Sequence, residues 1–296
     1  MVKILICICS KDIQKFKITL KSLINIKLNN KYRIEIIAID NSKNLNIQNY
    51  CKYLNLQKKI KIHYFYFNKN EIPNLRNKCL KEAKKIKSDY ICFLDDDSVI
   101  PKNWIINNLI IFKKYKNCSI ISGPQNSSKK NVYYDLLKPN FKNLSKINWC
   151  PTNNVIFKSK VLNKKNITFD VRLNNIGGSD QLFFTNLSII GFEIRWNAKN
   201  PVIEIYQKRR NNLKWFVKRI FRYSSSSVLI DRYSYGFLKG SVYSLIRINI
   251  YFIKFLMIFF LIPFRPKINF LISLNYLIRF ISIILGFFGF FPRKYM

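Results

Sequence analysis

The residues best suited to chemistry stand together in the stretch DYICFLDDDSVIPKNW, at positions 89–104. Three carboxylates, Asp95, Asp96 and Asp97, follow an apolar run that reads as a buried strand. The 296-residue chain has 52 Lys and Arg but only 15 Asp and Glu, so three adjacent acids concentrate a scarce residue type. Neighbouring carboxylates repel one another, and a turn or helix cap needs one Asp, not three. On extended chain Asp95 and Asp97 point to one side and Asp96 to the other. Two hard oxygen ligands on one side suit Mg²⁺ or Mn²⁺ carrying a diphosphate, because the metal relieves the repulsion and offsets phosphate charge. A D-x-D alone is weak. One that directly follows an apolar strand and precedes Pro101 and Trp104 at a helix start is more specific. The plainer alternative is a solvated turn.

The elements that must position these acids are legible upstream. Candidate strands cover residues 3–9, 33–40, 60–67, 89–94 and 119–123. Ile13, Phe16, Leu20, Leu23, Ile24 and Lys27 form a helical stripe that Ser10 or Asp12 can cap. Leu75, Cys79, Leu80, Ala83 and Ile86 form another. Apolar strands alternating with amphipathic helices predict βαβ units, an α/β fold and a mostly parallel sheet. Ligands of such sheets bind outside the carboxyl ends of the strands. Asp40 ends the second strand and Asp95–Asp97 end the fourth, so the acids gather on the predicted binding edge.

Further along, residues 129–148 read as a polar, irregular excursion, and 149–162 as ordered again. Residues 172–196 read as a Gly-rich turn, a helix from about Asp180, then a strand. The seven cysteines include no C-x-x-C pair, look like small core residues and fit a reducing compartment. The lone histidine, His63, lies in a probable strand and reads as structural, which excludes zinc sites built on several histidines. Residues 1–9 run straight into a strand pattern, without the features of a signal peptide.

The order of motifs over roughly residues 1–225 resembles an inverting family 2 glycosyltransferase of the GT-A (Rossmann-like) fold. The resemblance implies a nucleotide-sugar donor, most often a UDP-sugar, and a bound Mg²⁺ or Mn²⁺. It implies nucleotide contacts from Cys9 and Ser10 in CICSKD, which departs from the usual Thr-Pro. Asp40 in IAIDNS would face the base, and Arg76 with Asn77 in IPNLRNKCL would meet base or diphosphate. Asp95, Asp96 and Asp97 in FLDDD would bind ribose and metal, with Asp97 the direct metal ligand and Asp95 beside it. Asn153 and Asn154 in TNNVIF would lie under the donor sugar. The family's base sits in a Glu-Asp pair opening a helix; GGSDQLFF keeps the Asp as Asp180 and has Ser179 for the Glu. Asp180 would then take the proton of the acceptor hydroxyl; its alternative role is an ordinary helix cap. The Gly-Gly-x-Asp-x-x-Phe-Phe form is most similar to exopolysaccharide-type glucosyltransferases of the family. QKRRNNLKW fits Q-x-x-R with Gln207 and Arg210, but Trp215 comes too late for the processive Q-x-x-R-W element; Arg209 or Arg210 could still meet the diphosphate.

After residue 205 one acid, Asp231, remains. In LKWFVKRIFRY, Leu213, Phe216, Val217 and Ile220 share one helix face, while Lys214, Lys218 and Arg222 share the other. Such a helix suits an anionic membrane surface, or packs on a core with its basic face in water. Two apolar stretches follow at 242–264 and 268–291, separated by Pro263 and Pro266. Arg247, Lys254 and Arg279 interrupt them, and a central Arg costs roughly 2.5–3.5 kcal/mol on insertion scales. The pair therefore reads as helices lying in, or dipping into, the membrane interface, with two true spans as the alternative.

These readings divide the chain into a transferase domain, 1–225, and membrane-associated helices, 226–296. The predicted activity is metal-dependent, inverting transfer of a sugar to a lipid-linked (polyprenyl-diphosphate) or growing saccharide in cell-surface polysaccharide synthesis. It would occur at the cytoplasmic face of the membrane. The net charge of +37 suits an anionic membrane surface, much of it as solvated lysine, and no nucleic-acid partner is expected. Two other readings compete. A nucleotidyltransferase should show a Gly-rich loop after its first strand, and CSKDIQKF has no Gly. A non-catalytic basic binder of lipid or nucleic acid leaves the ordered acids unexplained.

Overall fold

The computed structural model describes residues 1–164 and 167–292. In chain order its elements are β1 (Val2–Ser10), α1 (Ile13–Ile24), β2 (Tyr32–Asp40), α2 (Asn46–Leu56), β3 (Lys61–Tyr66), α3 (Ile72–Ile86), β4 (Tyr90–Leu94), β5 (Ser98–Val99), α4 (Trp104–Lys114), β6 (Cys118–Ser122), β7 (Gln125–Ser127), α5 (Val132–Asp135), β8 (Lys146–Ile147), β9 (Asn154–Lys158), α6 (Ser179–Ile189), β10 (Glu193–Trp196), β11 (Val202–Glu204), α7 (Leu213–Tyr235), α8 (Phe237–Phe259) and α9 (Pro266–Phe287). They divide into two compact units. The first comprises Met1–Lys130, Pro139–Val171 and Phe183–Tyr206; the second comprises Asn131–Lys138, Arg172–Leu182 and the chain from Gln207 onward.

The first unit is built on an eight-stranded sheet in the order β3-β2-β1-β4-β9-β6-β10-β8. Strands β3, β2, β1 and β4 run parallel, β9 enters antiparallel between β4 and β6, and β8 closes the far edge antiparallel to β10. The sheet is thus mostly parallel, as the strand–helix alternation predicts. Residues 4–8 of β1 are wholly buried because both faces are covered. Ile4, Ile6 and Ile8 pack with Phe16 and Leu20 of α1, Ile47 and Cys51 of α2, and Leu109 and Phe112 of α4. Leu5 and Cys7 pack on the opposite face with Leu75, Cys79 and Leu80 of α3 and Phe183, Phe184 and Leu187 of α6. Each fully buried Leu, Ile or Phe contributes about 1.5–3 kcal/mol. A small second sheet, β5-β11-β7, lies beyond the end of β4.

Helix α2 has no counterpart in the sequence reading. Its apolar positions Ile47, Cys51 and Leu54 are only three, set among Asn, Gln and Lys, so the periodic signal is thin. The excursion at 129–148 contains the one-turn helix α5 and the two-residue strand β8. His63 is structural as expected: its Nε2 lies 2.7 Å from Glu35 of the adjacent strand, whose buried carboxylate also meets Lys3 and Arg33.

In the second unit, α7 runs unbroken from Leu213 to Tyr235, across position 225. Arg222 is not on a solvated face; it is 7% exposed, and its guanidinium lies against Gly177. Helices α7, α8 and α9 pack on one another through small residues. A Cβ on Gly240 would stand 2.5 Å from the backbone of Asp231, and one on Gly286 would stand 2.6 Å from the Ser225 carbonyl oxygen. Pro263 lies in a short 3-10 turn and Pro266 opens α9, so the prolines do break the two apolar stretches.

Candidate active site

The register of the large sheet brings the predicted donor residues to one edge. Ser10 pairs with Asp40 across β1 and β2, Cys7 with Phe93 across β1 and β4, and Leu94 with Asn154 across β4 and β9. Ser10, Asp40, the acids after Leu94 and Asn154 therefore share the end of the sheet where β1, β2 and β4 finish.

The acids do not lie on extended chain. Residues 96–97 form a turn between β4 and β5, so strand alternation does not set their directions. Asp96 accepts from the Ser10 hydroxyl at 2.6 Å, and Asp97 Oδ2 lies 3.4 Å from Lys15 Nζ. Asp95 instead feels Arg76 and Glu204. Helix α1 holds the turn. Asp12, not Ser10, caps it, accepting from the N–H groups of Gln14 and Lys15. The buried Thr19 hydroxyl lies 2.7 Å from the Asp96 carbonyl oxygen and 2.8 Å from that of Ser98, and accepts from the Ser98 N–H at 3.0 Å.

Burial pushes the Asp95 carboxyl up to about 7; the neighbouring Asp97 charge adds to this and Arg76 opposes it. Burial likewise raises Asp96 to about 6, against the hydrogen bond from Ser10. Both carboxyls thus hold their protons more readily than free aspartates do. An all-carboxylate donor set suits Mg²⁺ or Mn²⁺. Among the described residues no three His, Cys, Asp or Glu side chains form a ready metal cage.

The other predicted residues are held as follows. Asp40 is fully buried and accepts from the Ser42 N–H at 2.7 Å and the Tyr64 hydroxyl at 2.9 Å. Cys9 Sγ is 3.6 Å from Cys79 Sγ, and that contact together with burial pushes its thiol well up, so it is a neutral neighbour rather than a nucleophile. Arg76 stacks over the Phe169 ring at 5.5 Å, while Asn77 pairs with the Phe169 backbone through both its amide atoms. Asn154 is 2% exposed, and its amide bonds Trp104, Pro124 and Asn200. Beside it, Thr152 Oγ1 and Asn153 Oδ1 are buried acceptors without a hydrogen-bond partner.

Lys15, Thr19 and Glu204 were not singled out from sequence. Glu204 is 4% exposed on β11, opposite Ser98 in the small sheet, more than 100 positions from the acids it joins. Only its isolation in an apolar run, PVIEIY, could have marked it.

In the second unit, Asp180 is the second residue of α6, and its Oδ1 accepts from the Gln181 N–H at 3.0 Å. The preceding glycines are required. Gly177 and Gly178 have φ of +102° and +85°, and a Cβ on Gly178 would stand 2.5 Å from Ile230 Cδ1 of α7.

A mixed sheet with an acid turn at its carboxyl edge is the architecture of the GT-A fold. Residues 4–169 match the profile of glycosyl transferase family 2, and the chain belongs to that family. It is 23% identical over 216 residues to the succinoglycan biosynthesis protein ExoM of Rhizobium meliloti (strain 1021), covering 69% of this chain and 67% of that protein. Its fold is similar to the mannosyltransferase PcManGT of Pyrobaculum calidifontis, solved with GDP-Man and Mn²⁺ (TM-score 0.63, 10% identity, 96% of this chain and 86% of that one). It is also similar to residues 1–349 of S. aureus TarS in complex with UDP-GlcNAc (TM-score 0.55, 14% identity, 81% and 72%).

Proposed function

We propose that this glycosyltransferase moves a sugar from a nucleoside-diphosphate donor, a UDP-sugar first, onto a lipid-linked or growing saccharide in cell-surface polysaccharide synthesis, with inversion. The observation that carries the reading is the acid turn 95–97, held by α1 beside Ser10 and Asp40 at the sheet edge. Kinship with a succinoglycan biosynthesis protein supports the pathway class.

In this reading Asp40 and Ser10 set the nucleoside end, and Arg76 meets the diphosphate or base. Thr152 and Asn153 offer buried acceptors for sugar hydroxyls. Asp95 and Asp97 would hold Mg²⁺ or Mn²⁺, which supplies charge stabilisation to the leaving diphosphate. Asp180 accepts the proton of the acceptor hydroxyl as that oxygen bonds to the anomeric carbon and the bond to diphosphate breaks. A single displacement needs no carboxylate nucleophile, so the anomeric configuration inverts.

Residues 1–225 carry the transfer chemistry and 226–296 hold the enzyme at the cytoplasmic face of the membrane. Both α8 and α9 are long and apolar enough to cross a bilayer. The large side chains Leu238, Val242, Ile253, Met257 and Phe260 of α8 and its C-terminal end are all exposed. Arg247 turns inward to Asp231, and Arg279 bonds Asn275 of its own helix. These two arginines, which would oppose membrane contact, are thereby drawn toward partners.

A panel of nucleotide sugars, screened for Mn²⁺-dependent binding and slow hydrolysis, tests the proposal. One donor should bind the wild type with metal, and Asp97→Ala should lose it. If no donor binds with or without metal, the proposed donor site is wrong.

A further inference from the structure

A protein cation already stands at the acid turn. Lys15 Nζ lies 3.4 Å from Asp97 Oδ2, with the Asp97 side chain 7% exposed and the Lys15 side chain 32% exposed. The Lys15 backbone is fixed in the first turn of α1, its N–H donating to the capping carboxylate of Asp12 at 3.3 Å. The same helix grips the acid turn one step on, through Thr19 to Ser98 and through Ser22, whose hydroxyl accepts from the Ile100 N–H at 3.1 Å. The helix and the turn therefore keep their spacing, and the part free to move is the flexible four-carbon stem of Lys15.

Mg²⁺ binds a carboxylate oxygen at about 2.0–2.1 Å. An ammonium held at its present distance from that oxygen would stand within roughly 5.5 Å of the ion, where like charges repel strongly in a partly desolvated site. The ion and the ammonium would therefore compete for the charge of Asp97.

We propose that Lys15 is a built-in competitor for the metal. It neutralises Asp97 in the donor-free protein and swings out when metal enters with a nucleoside diphosphate, whose negative charge offsets the added positive charge. The metal alone then binds weakly, and nucleotide and metal bind synergistically, which keeps the site from loading with a cation before a donor arrives. This inference rests on the reading of Asp97 as a metal ligand.

The test is a Mn²⁺ titration of the full chain, followed by the electron paramagnetic resonance signal of free Mn²⁺, with and without UDP. The variants are Lys15→Met, Lys15→Arg and Asp97→Asn, each checked for fold by circular dichroism. Lys15→Met should bind Mn²⁺ alone on the order of tenfold tighter than wild type, and UDP should improve its affinity less. Lys15→Arg should stay weak, and Asp97→Asn should lose the ion. Unchanged or weaker Mn²⁺ binding by Lys15→Met, with wild type still binding Mn²⁺ in the presence of UDP, overturns the role of Lys15 alone. If Mn²⁺ binds neither wild type nor Asp97→Asn even with UDP, the metal reading falls, and this inference falls with it.

Discussion

Trp104 donates its indole N–H to the side-chain oxygen of Asn154 at 2.9 Å, joining the first residue of α4 to the first residue of β9. The Asn154 amide nitrogen reaches the carbonyl oxygens of Pro124 at 2.9 Å and Asn200 at 3.1 Å. One buried side chain thus ties four segments under the acid turn. Close by, Gly123 leaves room for it: a Cβ there would stand 2.8 Å from the Asn154 amide nitrogen.

Asn154→Leu should therefore act on stability. It leaves the Trp104 indole N–H and the Asn200 carbonyl without the Asn154 side chain, while the Pro124 carbonyl keeps the Val202 N–H, at a cost of about 3 kcal/mol. Urea unfolding should show the loss in the midpoint with little change in slope. A variant as stable as wild type would mean that these bonds are replaced by water.

Asp180→Asn should separate chemistry from donor binding. The amide keeps the shape and the capping oxygen but cannot take a proton. Turnover should fall by roughly 10²–10⁴, while the affinity for UDP with Mn²⁺ stays within a factor of about two. A matching loss of UDP affinity would argue that Asp180 shapes the donor site instead.

Metal affinity should depend on pH with a definite sign. Asp95 and Asp96 are raised to about 7 and about 6, so a cation entering the turn must displace protons below those values. Mn²⁺ affinity should rise from pH 5 to about 7 and then level off. The same shifts mean that the folded, metal-free protein binds more protons than the unfolded chain between about pH 4 and 7, so its stability should fall as pH rises through that window. Chemical denaturation across this range, without and with Mn²⁺, reads both effects; a stability that climbs from pH 5 to 7 without metal would contradict the raised carboxyls.

Arg247 and Asp231 should behave as a coupled pair. Arg247 bonds Asp231 and the Ser227 carbonyl oxygen, and Ser244 also donates to Asp231. Arg247→Met alone should destabilise by about 3–5 kcal/mol, because it strands a buried carboxylate, and the double variant with Asp231→Leu should recover most of that. Thermal unfolding of both variants in the same detergent or lipid decides; equal losses would mean the pair is not what joins α7 to α8.

Local pattern in the sequence was enough for the strands that carry the site. Continuous apolar runs specify β1, β2, β4 and β6, and the stripes of α1 and α3 specify helices, because periodicity is a property of neighbouring residues. The strand-end positions of Asp40 and Asp95–Asp97 follow from the same pattern, as does the glycine turn before Asp180. The family resemblance was likewise carried by short motifs in a readable order. What lay beyond the sequence depends on residues far apart in the chain meeting in space. Lys15 becomes the partner of Asp97, and Glu204 a neighbour of Asp95, only when α1 and β11 fold against the turn. Arg222 leaves its basic stripe for the interior, where its guanidinium lies against Gly177. Charge, capping capacity and apolar spacing are written in the chain itself, whereas which charge faces which is decided by packing.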